Sequence, residues 1–151
     1  KVPAEFNIGF DPEAAHVVFE AFPSFDLVDW EATLRHAFED AEFDGWLAAG
    51  DRRADFFGQI VGAARGYNAK HDRRGVIAAD ALAMAVALDP DIVIRSETRA
   101  VAVELDGRLT RGATVVDWTA RLGRPAQANI VLEVDQGRFA AMVRRALGGQ
   151  S

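Results

Sequence analysis

Two side chains near the start of the chain, Glu5 and Asn7, have types and a spacing that suit ligand binding. The stretch Val2–Phe6 is interpreted as a short strand that runs out into a loop. Residues two apart on an extended segment point to the same side, so the carboxylate and the amide face one ligand together. The alternative interpretation is a solvated strand end followed by a turn-forming asparagine. The residues alone favour this alternative, and an α/β context shifts the balance towards a shared ligand, because ligands bind at the carboxyl ends of strands.

A third candidate is Asp80, the only charged residue in a predicted helix that runs from Asp80 to Leu88. The other residues of this helix are apolar on every side, so we expect it to be buried all round. Asp80 is either the helix N-cap, which stabilises by about 1 kcal/mol, or a carboxylate that binds a hard cation or sugar hydroxyls. The two roles are only partly compatible, because an oxygen bonded to the backbone is not available to a metal.

The remaining polar candidates indicate structural roles. His16, His36 and His71 have no metal-ligand spacing with each other or with a carboxylate pair. The acidic stretch 39–46 lacks the alternating oxygen ligands and the glycine of a calcium loop, so a solvated helix face is favoured. The sequence contains no nucleophile elbow, no P-loop and no dinucleotide-binding glycine fingerprint.

The predicted helices and strands that carry the candidate residues indicate an α/β fold, because helices alternate with strands and a small antiparallel hairpin follows. Asp11-Pro12 begins a helix as N-cap and first helical residue. The Asp106-Gly107 pair between two β-branched runs predicts a tight hairpin. Further predicted elements are a buried strand within Phe25–Trp30, a helix over 31–49, an amphipathic helix over 52–71 with Phe56, Ile60 and Ala63 on one face, a strand over Asn129–Asp135 and a closing helix from Gln136.

Composition bounds the class of protein. The 151 residues carry a formal charge of −6, which argues against a nucleic-acid partner. No cysteine is present, which excludes disulfides and thiolate metal sites. No apolar run approaches bilayer length, so we expect no membrane association and a cytoplasmic location. The first residue is Lys1 and not Met, and we therefore treat the chain as part of a longer one.

Three motifs in order, AEFNIGFDPEAAHVVF, ADALAMAVALDP and VELDGRLTRGATVVDW, resemble the carboxyl-terminal half of the inosine-uridine-preferring nucleoside hydrolases. The resemblance runs from Val2 to about Leu147, with a divergent segment over 25–71. It implies an α/β fold with a nucleoside-hydrolase-like open sheet, flanking helices and a small antiparallel hairpin. Residues 1–151 would then be the carboxyl-terminal part of a single domain.

The resemblance also implies a function. The family hydrolyses the N-glycosidic bond of ribonucleosides to ribose and free base, in purine and pyrimidine salvage, with a bound Ca²⁺ as cofactor. It assigns Glu5 and Asn7 to the ribose hydroxyls, and Asp80 to both the calcium and the ribose. The expected partners are a nucleoside, the amino-terminal half of the same protein and further copies in a homo-oligomer.

Two departures from the family limit this assignment. The aspartate-rich amino-terminal signature, which supplies the general base and most calcium ligands, is absent, and one carboxylate is far short of the 6–8 oxygens that calcium takes. We therefore expect this chain alone to be inactive, with no catalytic residue of its own. Ala79 stands where the family has the histidine acid. The leaving base must then be activated by another group, for example Tyr67, or by stacking around the base, or else the protein is a weak or altered catalyst. The alternatives are a non-catalytic nucleoside- or ribose-binding protein and a stand-alone fragment that acts through its surface.

Overall fold

A computed structural model describes residues 4–71, 73 and 75–149. Its helices are α1 Phe6–Phe10, α2 Pro12–Ala21, α3 Trp30–Arg35, α4 Asp40–Ala49, α5 Arg52–Lys70, α6 Ala79–Leu88 and α7 Gln136–Ala146, with a single 3-10 turn at Pro90–Ile92. Its strands are β1 Phe25–Leu27, β2 Val93–Arg99, β3 Val101–Val103, β4 Thr114–Val116 and β5 Ala128–Val134. One sheet has the order β1-β5-β2, and a second consists of β3 and β4. The described part of the chain contains no helix that is both long and apolar enough to cross a membrane.

The chain divides into two compact units, of which the first comprises described residues 4–27 and 96–132. Its core is a cluster formed by α2, the β3–β4 hairpin and β5, with Phe19, Val101 and Ile130 among the buried side chains. Strands β1 and β5 pair in parallel, with Phe25 opposite Ala128. The ring of Phe25 stacks on that of Phe19 at 5.1 Å between centroids. Apolar packing therefore joins α2 to β1 and β5, two strands of the three-stranded sheet.

The second unit comprises described residues 28–95 and 133–149. Its core centres on Phe38, which is fully buried and contacts the rings of Phe43, Trp46 and Phe139 at centroid distances between 4.9 and 6.2 Å. Trp46 therefore packs within the protein, as a lone tryptophan usually does. The helix predicted over 31–49 is wrong in one respect, because the chain breaks between α3 and α4. Phe38 lies in this break, and its backbone pairs with Val76 in an antiparallel bridge.

The predicted elements near the ends of the chain have mixed outcomes. The Asp11 carboxylate accepts a hydrogen bond from Ala14 N at 2.9 Å and Pro12 opens α2, which confirms that helix start. The strand predicted to end at Phe6 is wrong at that residue, because Phe6 begins helix α1, while Val2 and Pro3 lie outside the described residues. The strand at Asn129 and the helix from Gln136 are confirmed to within one residue.

The hairpin predicted around Asp106-Gly107 is present, but its turn is not the tight one expected. Strands β3 and β4 are antiparallel and are separated by the loop 104–113. The Glu104 carboxylate accepts hydrogen bonds from Asp106 N and Gly107 N at 2.8 and 3.1 Å. Gly107 also lacks the positive φ that a two-residue type I′ turn requires. The side chain of Glu104 therefore stabilises a wider loop.

Two helices are less buried than their sequences predict. Helix α6 buries only Leu82, Ala85 and Val86 in the structure, while Met84 and Leu88 are 58% and 71% exposed. The expectation of burial on every side is therefore wrong for the described chain. Helix α5 forms as expected, but its predicted apolar face, which includes Phe56 and Ile60, is exposed.

His36 is a buried structural residue in the second unit. Its Nδ1 lies 2.7 Å from Gln136 Oε1, and its Nε2 accepts a hydrogen bond from Val134 N at 3.2 Å. Because Nε2 accepts, the proton lies on Nδ1 and donates to Gln136, so both ring nitrogens are satisfied. His36 therefore joins the end of α3 to β5 and α7. This is a structural role, as its sequence context predicts.

The substitution His36→Ala should lower the free energy of unfolding by about 1–3 kcal/mol, because it leaves the buried N–H of Val134 without an acceptor. Urea unfolding measures this loss. The matched control is His71→Ala, at an exposed histidine that should change stability by less than about 0.5 kcal/mol. Equal effects of the two substitutions would contradict the structural role of His36.

Candidate functional site

The side chains of Glu5 and Asn7 lie together, as the sequence predicts, but for a different reason. Glu5 is the N-cap of α1, and its Oε2 accepts hydrogen bonds from Asn7 N at 2.8 Å and Ile8 N at 3.2 Å. Its Oε1 accepts a third from Asn7 Nδ2 at 3.3 Å. The pair is thus joined by a helix cap and a direct side-chain contact, not by the alternation of an extended strand.

This arrangement leaves hydrogen-bonding capacity for a ligand. A carboxylate has about four acceptor positions, of which Glu5 uses three in the cap. Only the amide nitrogen of Asn7 can donate to a carboxylate, so this bond fixes which way the amide points. Asn7 is exposed, and no described residue forms a hydrogen bond with its second side-chain N–H or its Oδ1. One acceptor and one donor side by side can bind two neighbouring hydroxyls, such as those of a sugar diol.

Glu5 also lines a groove of about 450 Å³ in the first unit. Its other walls come from α1 and the residue before Glu5, from the start of α2 and from the β3–β4 loop, through residues Ala4, Phe6, Gly9, Pro12, Arg108, Leu109 and Arg111. This volume is within the range of small-molecule sites. The β3–β4 loop is therefore a direct neighbour of the predicted ribose-binding pair.

Asp80 does not cap its helix. Helix α6 begins at Ala79 with Ala78 as N-cap, so Asp80 is the second helical residue and the N-cap interpretation is wrong. Asp80 is exposed, and its carboxylate has no hydrogen bond or ion pair within the described part of the chain. A negative charge in the first turn is favoured by the helix dipole. Both of its oxygens are therefore available to a ligand.

The chemistry of this carboxylate suits calcium, but the described residues do not complete a site. A free carboxylate is a hard oxygen ligand of the kind that calcium prefers. Within residues 4–71, 73 and 75–149, however, no group of three or more histidine, aspartate or glutamate side chains is placed to hold a metal ion. Asp80 therefore fits as one such ligand, and the described residues alone do not complete a site.

The residues considered for leaving-group activation lie in the second unit with Asp80. Ala79 is the first residue of α6 and brings no proton donor there. Tyr67, on the last turns of α5, stacks on His71 at 4.1 Å between ring centroids, and His71 Nδ1 lies 2.8 Å from Tyr67 O. Tyr67 is 57% exposed, so its hydroxyl is accessible, and its role stays a prediction.

One contact near the site is absent from the sequence-based predictions. Gly112 in the β3–β4 loop is buried with φ +84°, and a Cβ there would lie 3.2 Å from Gly9 Cα and 3.3 Å from Ala4 Cβ. These neighbours flank Glu5 and Asn7 on either side. The only available signal was the glycine itself, in the motif LTRGATVV, and a glycine in a loop does not specify its contacts.

Fold and site together define an α/β protein with a joined carboxylate and amide, Glu5 and Asn7, in one unit and, in the other, a carboxylate, Asp80, that has no partner among the described residues. A protein-family model described as inosine-uridine preferring nucleoside hydrolase matches residues 1–141, and the chain belongs to this family. The resemblance recognised in the three motifs is thereby confirmed.

Curated relatives support this family assignment. The inosine-uridine preferring nucleoside hydrolase of Leishmania major is 32% identical over 145 residues, which are 95% of this chain and 46% of the relative. The non-specific ribonucleoside hydrolase RihC of Salmonella paratyphi B is 34% identical over 136 residues, 90% and 43% of the two chains. The chain thus spans about half the length of the curated relatives it matches.

A solved structure confirms the predicted fold class. An inosine-guanosine nucleoside hydrolase matches with a TM-score of 0.85 and 30% identity, over 98% of this chain and 47% of that one. A plant nucleoside hydrolase, at 23% identity and the same TM-score, supports the fold alone. The three-stranded sheet, its helices and the antiparallel hairpin are therefore a nucleoside-hydrolase arrangement.

The substitution Glu5→Ala should release the first turn of α1, because loss of an N-cap costs about 1 kcal/mol. The expected result is roughly fivefold faster hydrogen exchange at the amides of Asn7 and Ile8, measured by mass spectrometry or NMR. Asn7→Ala is the matched control, since it removes the side-chain contact but leaves the Glu5 cap in place. If both variants exchange at the wild-type rate, Glu5 does not hold α1.

Proposed function

We propose that this chain is the carboxyl-terminal part of a ribonucleoside hydrolase. The reaction adds water at the anomeric carbon of the ribose and breaks the N-glycosidic bond, so that ribose and the protonated base leave. The observation that carries the proposal is the family match over residues 1–141 together with structural likeness to an inosine-guanosine nucleoside hydrolase. In this proposal the substrate is a nucleoside, because the matched relatives are nucleoside or ribonucleoside hydrolases.

Glu5 and Asn7 act in this proposal by binding the ribose hydroxyls. One hydroxyl donates to the remaining acceptor position of Glu5, and another accepts from the second N–H of Asn7. The Glu5–Asn7 contact supports this role, because each side chain restricts the other before a ligand arrives. Fixed donors and acceptors lower the entropic cost of orienting the sugar for attack.

The proposal includes Ca²⁺ as cofactor, with Asp80 as one ligand that also contacts the ribose. When bound, a divalent cation lowers the pKa of a coordinated water and orients the sugar. The support from this chain is the uncommitted carboxylate of Asp80 in the first turn of α6. The remaining ligands and the general base are assigned to the amino-terminal half of the protein. We accordingly propose that the chain needs this half for activity, works in the cytoplasm and forms homo-oligomers.

A second candidate function is favoured by Ala79. A methyl group cannot protonate a departing base, and Ala79 occupies the position at which the family resemblance implies a histidine. A protein that retains Glu5, Asn7 and Asp80 but has no acid is suited to bind nucleosides without cleaving them. Calorimetry separates the two functions, since tight nucleoside binding with no release of base over a long incubation supports the binding protein.

The substitution Asp80→Ala in the complete protein should abolish both calcium binding and turnover, because it removes a carboxylate ligand. Calcium affinity is measured by calorimetry, and base release by chromatography of nucleoside reactions. Asp55→Ala is the matched control, since Asp55 is also an exposed aspartate in the first turn of a helix. It should retain wild-type values. Full activity and wild-type calcium affinity in Asp80→Ala would contradict the assignment of Asp80 as a calcium ligand.

A further inference from the structure

Helix α1, which carries Asn7 and is capped by Glu5, depends on its neighbours for its position. It has only five residues, none of them buried, and isolated helices of that length are not stable in water. The Glu5 cap fixes the turn internally but does not fix where the turn lies. Some other part of the first unit must therefore hold the turn in place if its side chains are to bind a ligand.

The β3–β4 loop supplies one such contact at Gly112. The backbone of Gly112 lies so close to α1 that a Cβ would be 3.2 Å from Gly9 Cα, 3.3 Å from Ala4 Cβ and 3.5 Å from Pro12 Cγ. Ala4 directly precedes Glu5, and Gly9 follows Asn7 by two residues. With φ +84°, the position also has a backbone conformation that favours glycine. Gly112 is therefore packed against both ends of the hydroxyl-binding turn.

Arg111 supplies a second contact between the loop and the helices. Its Nη1 donates to Leu105 O at 2.6 Å, and its Nη2 donates to Glu13 Oε1 at 2.5 Å. The hydrogen bond from Arg111 lowers the pKa of the Glu13 carboxyl, so Glu13 stays ionised at neutral pH. One guanidinium thus joins the loop to the first turn of α2, which begins directly after α1.

The loop is itself ordered by internal hydrogen bonds. Gly112 N donates to Glu104 O at 2.7 Å, and Arg111 N donates to Gly107 O at 3.0 Å. The Glu104 carboxylate accepts from two further backbone N–H groups, of Asp106 and Gly107, which lowers the pKa of that carboxyl. These internal hydrogen bonds fix the conformation of the loop independently of α1. The loop can therefore hold α1 in place.

We propose that the β3–β4 loop is a positioning element for the ribose-binding pair, in which Gly112 and Arg111 hold the turn that carries Glu5 and Asn7. This inference rests on the proposed function for its effect on substrate. The contact with α1 can be tested without any activity. Both residues are positioning residues, since they act through Glu5 and Asn7 and not on the ligand.

The substitution Gly112→Ala in the complete protein tests the close contact. It should raise KM for a nucleoside by about threefold to tenfold, because the added methyl displaces Ala4 and Gly9 by a few tenths of an ångström. The kcat should change less, since the pair binds ribose in both the ground state and the transition state. Hydrogen exchange at the amides of Asn7 and Ile8 should also be faster.

The matched control for Gly112→Ala is Gly123→Ala. Gly123 also has a positive φ, of 64°, but nothing lies within 4 Å of the position of an added Cβ. This variant therefore carries the same kind of backbone strain without contact with α1. It should retain the wild-type KM and the wild-type exchange rates at Asn7 and Ile8.

A second pair of variants tests Arg111. Arg111→Met removes the link between the loop and Glu13, and should raise KM and speed exchange in α1. Its control, Arg124→Met, breaks a comparable ion pair between Arg124 and Glu20, at the other end of α2. Arg111→Lys should give values of KM and of exchange in α1 between those of the wild type and those of Arg111→Met. The reason is that an ammonium cannot reproduce both fixed hydrogen bonds of the guanidinium.

The outcomes separate this inference from the proposed function. If Gly112→Ala and Gly123→Ala have the same exchange rates in α1, the positioning role is overturned, whatever the activity. If the wild-type protein releases no base but Gly112→Ala alone speeds exchange in α1, the proposed hydrolase function fails and the positioning contact stands. If exchange responds but KM in an active enzyme does not, the loop holds α1 without serving the substrate, and the inference is again overturned.

Discussion

The capping interaction of Glu5 is the constraint on which the candidate site in the first unit depends. Its carboxylate accepts two backbone N–H groups and the side-chain amide of Asn7, so one residue both starts helix α1 and orients its neighbour. A carboxylate that accepts from backbone N–H groups at a helix start is well stabilised there. The same side chain keeps one acceptor position for a ligand. In the proposed function, the helix cap and ribose binding therefore depend on the same carboxylate.

Asp80 has the opposite arrangement. It also lies in the first turn of a helix, but Ala78 is the N-cap, and the Asp80 carboxylate forms no hydrogen bond or ion pair with any described residue. A carboxylate with both oxygens free does not stabilise its helix as strongly as a cap would. Its availability is instead what a ligand of a hard cation requires. The two carboxylates thus differ in structure: Glu5 organises its own turn, whereas Asp80 has no partner among the described residues.

Local signals in the sequence predicted the elements that they fully determine. Asp11-Pro12 predicted the start of α2 correctly, because an N-cap and a first-turn proline act within one turn. The two-residue turn expected at Asp106-Gly107 does not form, because Gly107 lacks a positive φ and the Glu104 carboxylate instead bonds Asp106 N and Gly107 N within a wider loop. Strand β2 was not predicted at all. None of its seven residues is buried, and its sequence VIRSETR does not alternate apolar and polar residues, so it carries no strand pattern to detect.

The site was predictable in its residues but not in its geometry. The types and spacing of Glu5 and Asn7 indicated a joint role, and the structure brings them together, although through a cap and not a strand. The contact of Gly112 with Gly9 and Ala4 joins residues about a hundred positions apart, and only tertiary structure reveals it. Likewise, the exposure of α6 on one side depends on which elements pack against it.

The proposed function makes this chain part of an enzyme that cleaves the N-glycosidic bond of ribonucleosides with the help of calcium. The most direct measurement is the mass balance of a nucleoside incubated with the complete protein, with and without a calcium chelator. Calcium-dependent hydrolysis should give equal amounts of free base and ribose, and both products should be lost when calcium is removed. A nucleoside that stays bound and intact in the presence of calcium would contradict it.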